Sequence, residues 1–246
     1  MKKIQTETDI EKMFIDIFKE LCSDRNEWQV WTDLMIVSAC AISNSVDRSQ
    51  AEDREKEYLK SIQNLKDFES ATTLFSLIVQ ALEENPEQDF LGNIYTKLEL
   101  HNHWKGQFFT PYYVARCMAV MTIGEDVKEL VDTKGFITIN DPACGGGSLL
   151  IASANTMRKL NINFQTSALF VAQDIDKIVA LMCYIQLSLL GCAGYVVVGD
   201  VFKTPLSGNI FTPNITEEQE VWYMPMFYTP IWEMRRELQK NATAII

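Results

Sequence analysis

The residues best placed to do chemistry are Asn140-Asp141-Pro142-Ala143-Cys144-Gly145-Gly146-Gly147-Ser148, which follow a short β run at 136–140 and open an apolar helix at 148–159. Glycines at a strand end let the backbone turn sharply and pass close to a ligand, and open α/β sheets bind ligands outside the carboxyl ends of their strands. The spacing departs from G-x-G-x-x-G, so a dinucleotide site fits poorly. Asp174 falls at the end of the next strand, 168–173, where a carboxylate accepts hydrogen bonds from two ribose hydroxyls. Asp176 reads instead as the cap of the following helix. Gly199-Asp200 close a third strand, 195–198, where a carboxylate can accept from an adenine amino group. Acidic residues at two successive strand ends beside a glycine turn imply a nucleoside ligand with an adenine and a ribose.

These positions need a parallel sheet. Strands at 136–140, 168–173 and 195–198 alternate with helices at 111–122, 148–159 and 176–190, the pattern of βαβ units. Pro111 ends the loop 104–111 and suits a helix start. Residues 1–103 are different: apolar residues recur at helical spacing over 7–23, 27–45, 49–66, 70–84 and 87–100, with no β-like alternation. Thr8 and Glu11 form a capping-box pattern, and Pro86 reads as the punctuation of the fifth helix. Two domains are expected: an all-helical module over 1–103, used for packing on the next domain or on a partner, and an α/β domain over 104–246.

Composition narrows the classes. The 246 residues carry a formal charge of −11, with 20 acidic and 11 basic residues before position 104 and 13 and 11 after it. The acidity sits in the helical half, and the near-neutral second half is the one able to approach DNA. No apolar run reaches the roughly 18 residues of a membrane span, and the charged start lacks a signal-peptide core. Six scattered cysteines form no C-x-x-C pair and read as buried reduced thiols of a cytoplasmic protein. Two histidines, His101 and His103, are too few for a zinc site, so no metal is expected.

Four segments in this order resemble the adenine-N6 DNA methyltransferase family: Gly106-Gln107-Phe108-Phe109-Thr110-Pro111, Asp141-Pro142-Ala143-Cys144-Gly145-Gly146-Gly147-Ser148, Gln173-Asp174-Ile175-Asp176 and Val198-Gly199-Asp200. The likeness is to modification subunits of type I restriction systems and, closer still, to small phage- and plasmid-borne relatives. It covers about residues 86–200. The resemblance implies a Rossmann-like S-adenosylmethionine-dependent methyltransferase core, with cytoplasmic DNA methylation as its activity. It also implies roles for the matching residues. Gln107, Phe108, Phe109, Thr110 and Pro111 would lie over the methionine end of the cofactor. Asp141, Pro142, Ala143, Cys144, Gly145 and Gly147 would cradle it. Asp174, followed by Ile175, would hold the ribose, and Asp200 after Gly199 the adenine. The family's usual serine is replaced here by Gly146.

The larger departure is further on. The family's catalytic tetrad, Asn or Asp followed by Pro-Pro and an aromatic residue, accepts the hydrogen bonds of the target amino group and stacks on the flipped base. No such tetrad occurs. The nearest segments are Met224-Pro225-Met226-Phe227 and Thr229-Pro230-Ile231-Trp232, which leave Phe227, Tyr228 and Trp232 as candidate stacking residues. A fourth strand is expected near 220–227, and the sheet then stays incomplete in its C-terminal half. Two functions follow: a methyltransferase acting on DNA with a specificity or partner subunit, or a relative that binds S-adenosylmethionine without catalysis. The helical module or the aromatic segment around 222–232 offers a surface for homo- or hetero-oligomers. Arg235 and Arg236 could touch phosphate but read more simply as a solvated helix face.

Overall fold

A computed structural model describes residues 9–65, 67–100, 109–124 and 126–243. Five helices come first: α1 (Asp9–Leu21), α2 (Glu27–Asn44), α3 (Ala51–Leu65), α4 (Phe68–Glu84) and α5 (Phe90–Lys97). The expected five helices are therefore present, but the fifth, expected over 87–100, runs from Phe90 to Lys97. Its N-cap is Asp89, whose carboxylate accepts from Gly92 N at 2.9 Å. Thr8 lies outside the described residues. Phe14, Phe18, Trp31 and Phe90 meet edge-on or stacked at centroid distances of 5.7–6.4 Å in the centre of this bundle.

The second half runs α6 (Tyr112–Thr122), α7 (Val127–Lys134), β1 (Ile137–Asp141), α8 (Ser148–Lys159), the short α9 (Phe164–Ser167), β2 (Ala168–Asp174), α10 (Lys177–Leu189) and β3 (Ala193–Val198). A hairpin of β4 (Ser207–Asn209) and β5 (Thr212–Asn214) follows, then β6 (Glu220–Tyr223), a 3₁₀ turn (Pro225–Tyr228) and α11 (Pro230–Thr243). The sheet order is β1-β2-β3-β6, with β1, β2 and β3 parallel and β6 antiparallel. The result is a mixed α/β fold with a mostly parallel sheet. The expected fourth strand exists, but it lies on the outer edge of β3 and runs the opposite way. Among the described residues β1 pairs with β2 alone.

Both crossovers step the same way across the sheet, which puts α8 and α10 on one face. α10 is buried all round, Ile178 to Leu187, because it is sandwiched between β3 and α2. One apolar core therefore runs from Phe14 and Trp31 through Leu150 and Ile185 to Trp222. The helical segment and the α/β segment share that core. The other face carries Leu169, Val171, Tyr195 and Val197, covered by Phe211, Phe227 and Trp232. Among the described residues no helix is long and apolar enough to cross a membrane. Five of the cysteines are buried free thiols, but Cys117, on α6, is exposed.

Candidate active site

The carboxyl ends of β1, β2 and β3 come together as the residue types required. Asp141 ends β1, and its carboxylate accepts from Ala143 N at 3.1 Å, which starts the turn. Cys144 N then donates to Gln173 O at 2.9 Å and Gly147 N to Cys144 O at 2.9 Å, closing the loop against β2. Gly145 and Gly147 hold φ of +55° and +94°, conformations that favour glycine. A Cβ on Gly147 would also lie 2.9 Å from Cys183 Sγ, so α10 packs directly beneath the turn.

Asp174 is the hub. Its Oδ2 accepts from Gly145 N and its Oδ1 from Asp176 N, both at 2.9 Å. Each oxygen keeps a further lone pair for a hydroxyl. Burial raises the Asp174 carboxyl above its usual range, against the lowering effect of those two amides. Burial likewise raises Asp141, with Asp174 adding repulsion. Asp176 caps α10, its Oδ1 accepting from Ile178 N and Val179 N, as expected.

The β3 end is tied to the β2 end. Gly199 N donates to Asp174 O at 2.9 Å, and buried Gln173 donates to Gly199 O and Thr204 O, both at 3.2 Å. Asp200 Oδ1 accepts from Phe202 N at 2.9 Å and so organises the following turn. Two apolar side chains stand in solvent beside the two aspartates: Ile175 is 69% exposed and Phe202 is 95% exposed. Phe202 went unnoticed in the sequence, because nothing in Asp200-Val201-Phe202 distinguishes an exposed ring from a core one.

Of the segment 107–111, Gln107 and Phe108 lie outside the described residues. Phe109 is brought to the turn: its ring lies 3.4 Å from the position of a Cβ on Gly145 and 5.1 Å, centroid to centroid, from Tyr95 of α5. Thr110 and Pro111 are exposed at the start of α6. Asp89 and Gln186, which no motif marked, also reach the turn, since Gln186 donates to Gly146 O at 2.9 Å.

Phe227, Tyr228 and Trp232 are not brought there. β6 runs back along β3, with Tyr223 opposite Tyr195, and Met224 N donates to Gly194 O. The segment after it therefore lies at the amino ends of the strands, across the sheet from Asp141, Asp174 and Asp200. Phe227 is buried and stacks on Tyr223 at 5.2 Å, and Tyr228 lies edge-on to both rings. Trp232 is fully buried, its Nε1 donating to Gln165 O at 2.8 Å. The aromatic segment is thus packed on its own sheet. Arg235 and Arg236 are not a solvated face either: Arg235 donates to Thr166 O and to Gly135 O and covers Trp232 at 4.4 Å, and Arg236 covers Phe227 at 4.4 Å.

The N-6 DNA methylase family model matches residues 86–236, which contain every element of this site. The chain belongs to the N-6 DNA methylase family. No curated protein and no solved structure matches it. Methylation of DNA is the activity that membership carries. The match begins at Pro86, so this N-6 DNA methylase relative draws α5 and Asp89 into the family unit, although they belong to the helical half by composition.

Asp89 is buried, which raises its carboxyl above the usual 3.8 despite hydrogen bonds from Gln186 and Gly92. The folded chain thus binds that proton more tightly than the unfolded chain. Stability attributable to Asp89 falls as pH rises from 3.8 through the folded value and stays lower above it. Asp89→Asn keeps an acceptor and removes this loss. Its melting temperature should exceed that of the wild type at pH 7, and the gap should shrink as pH is lowered towards 4. A gap of constant size across that range would show that Asp89 does not titrate differently on folding.

Proposed function

We propose that this chain is an S-adenosylmethionine-dependent DNA methyltransferase acting on adenine N6, with a Rossmann-like cofactor core, and that a specificity or partner subunit completes the target-base site. The carrying observation is the junction of strand ends, in which Asp174 accepts from the glycine turn and Gly199 donates back to Asp174. S-adenosylmethionine would supply a methyl group on a sulfonium, electrophilic enough for an amine to attack.

The residues fit that molecule. The left-handed glycines 145 and 147 give the loop after β1 a tight turn that other residues would strain. Asp174 retains acceptor capacity for both ribose hydroxyls, and Asp200 lies beside it for the adenine amine. Ile175 and Phe202, exposed next to Asp174 and in the turn after Asp200, would offer apolar surface to a purine. Asp141 and the cradle of Pro142, Ala143 and Cys144 border the turn, with Phe109, Thr110 and Pro111 above the methionine end. Thr229, the polar residue of the second tetrad-like segment, sits at the opposite end of the sheet from Asp141, Asp174 and Asp200. The partner is assigned the acceptor for the target amine, in a cytoplasmic restriction-modification setting.

Two substitutions separate these roles. Asp174→Ala removes two charge-assisted hydrogen bonds to the cofactor, each about 1.5–3 kcal/mol, so affinity should fall by about a hundredfold or more. Phe202→Ala touches no core, so melting should not change, while the lost stacking of about 1–3 kcal/mol should weaken binding by about tenfold. The deciding assay for the function is transfer of labelled methyl from S-adenosylmethionine to adenine-rich duplex DNA, with and without a specificity subunit. N6-methyladenine in the digested DNA is the expected product. Cofactor binding with no incorporation in any combination would contradict the reading.

A further inference from the structure

The carboxylate of Asp89 accepts at Oδ1 from Gly92 N at 2.9 Å and from Gln186 Nε2 at 2.8 Å, and among the described residues no cation pairs with it. Gln186, in the middle of α10, also donates Nε2 to Gly146 O at 2.9 Å and accepts at Oε1 from Leu91 N at 3.1 Å. Both amide hydrogens and the amide oxygen are thereby used, and the Gln186 side chain is fully buried. Two glycines stand where this network requires them. A Cβ on Gly92 would lie 2.2 Å from Asp89 Oδ2, and one on Gly146 would lie 3.3 Å from both carboxylate oxygens.

We propose that Asp89 and Gln186 are positioning residues that hold the Gly146 carbonyl, so that α5, from the helical half, sets the shape of the cofactor turn. The physical reason is directional. A turn with left-handed residues on either side of Gly146 has several accessible shapes, and a buried donor aimed at the middle carbonyl selects one. Asp89 in turn holds the orientation of that donor: an amide that lost its carboxylate partner could rotate, and its second hydrogen would be left unpaired. The glycine at 146 lets the carboxylate approach the turn this closely. The proposal rests on the cofactor reading only for its effect on affinity; the effect on the turn itself stands without it.

The test compares Gln186→Met, which keeps size and loses all three hydrogen bonds, with Asp89→Asn, which keeps the acceptor. Calorimetry with S-adenosylhomocysteine gives affinity, and amide hydrogen exchange gives the turn 145–147 and the strands β2 and β3 separately. Gln186→Met should weaken binding about tenfold and speed exchange at 145–147 by about as much, with β2 and β3 unchanged. Asp89→Asn should stay within about twofold of the wild type in both readouts. Wild-type affinity and exchange in Gln186→Met would overturn the proposal. So would faster exchange in the strands matching that in the turn, which marks general destabilisation. Should the wild type take up no S-adenosylhomocysteine, the cofactor reading fails on that result alone, and the exchange comparison still decides whether the relay holds the turn.

Discussion

Gly194→Ala is expected to lose more than about 4 kcal/mol and to leave the chain unfolded at ordinary temperatures. Gly194 holds φ +142° in β3, paired across to Phe170 of β2. A Cβ there would lie 1.8 Å from Phe170 O and 2.7 Å from its carbonyl carbon. Both obstacles are backbone, so relief requires β2 and β3 to separate. The same strand carries Tyr195 and Val197 into the core and holds Met224 through Gly194 O. Gly135→Ala is the control: φ is +80° there, but the nearest atom, an Arg235 Nη2, is 4.0 Å away, so the loss should be about 1–2 kcal/mol from conformation alone. Denaturant unfolding of the two variants measures the difference. Equal losses would mean that β2 and β3 do not approach in this register.

Arg54→Leu should lose about 3–5 kcal/mol. The Arg54 side chain is 7% exposed and that of its partner Asp47 only 1%, with Nη1 to Oδ2 at 3.0 Å. The guanidinium also donates to Ser43 Oγ and to Val221 O, and it lies 4.1 Å from the centre of the Trp222 ring. One side chain of α3 thus ties the end of α2 to β6. Leucine would fill part of the space but leave Asp47 buried without its cation, which is the costly outcome. Changing Asp47 to Asn in the same chain should recover a large part of the loss, since the uncompensated charge is then gone. A single-variant loss below about 1 kcal/mol would mark the pair as a solvent-screened one.

What could be read in advance depended on whether the determining contacts were local. The glycine turn, the aspartates at the strand ends and the Asp176 cap are set by neighbours in sequence, and each stands where spacing put it. The helices of the first half follow from apolar periodicity and were found within a few residues. α7 went unread because Val127 is its one buried residue, so its sequence shows no stripe. The hairpin of β4 and β5 carries no strand signal in the sequence because its strands have three residues each. The direction of β6 was illegible, since Glu220-Val221-Trp222-Tyr223 alternates identically in parallel and antiparallel sheets. That one ambiguity moved Phe227, Tyr228 and Trp232 from the strand ends at Asp141, Asp174 and Asp200 to the far end of the sheet. Arg235 read as solvated because the carbonyl of Gly135 lies 100 positions away in the chain. The division near residue 103 was a real change in composition, yet Trp31, Leu150 and Ile185 belong to one core.

The central claim is that the ends of β1, β2 and β3 form one S-adenosylmethionine site with Asp174 at its hub. A calorimetric titration of the full chain with S-adenosylmethionine, run beside Asp174→Ala, tests it most directly. Saturable one-to-one binding to the wild type, weakened by about a hundredfold or more in the variant, is the predicted result. No heat of binding with the wild type, or equal binding by both proteins, would contradict it.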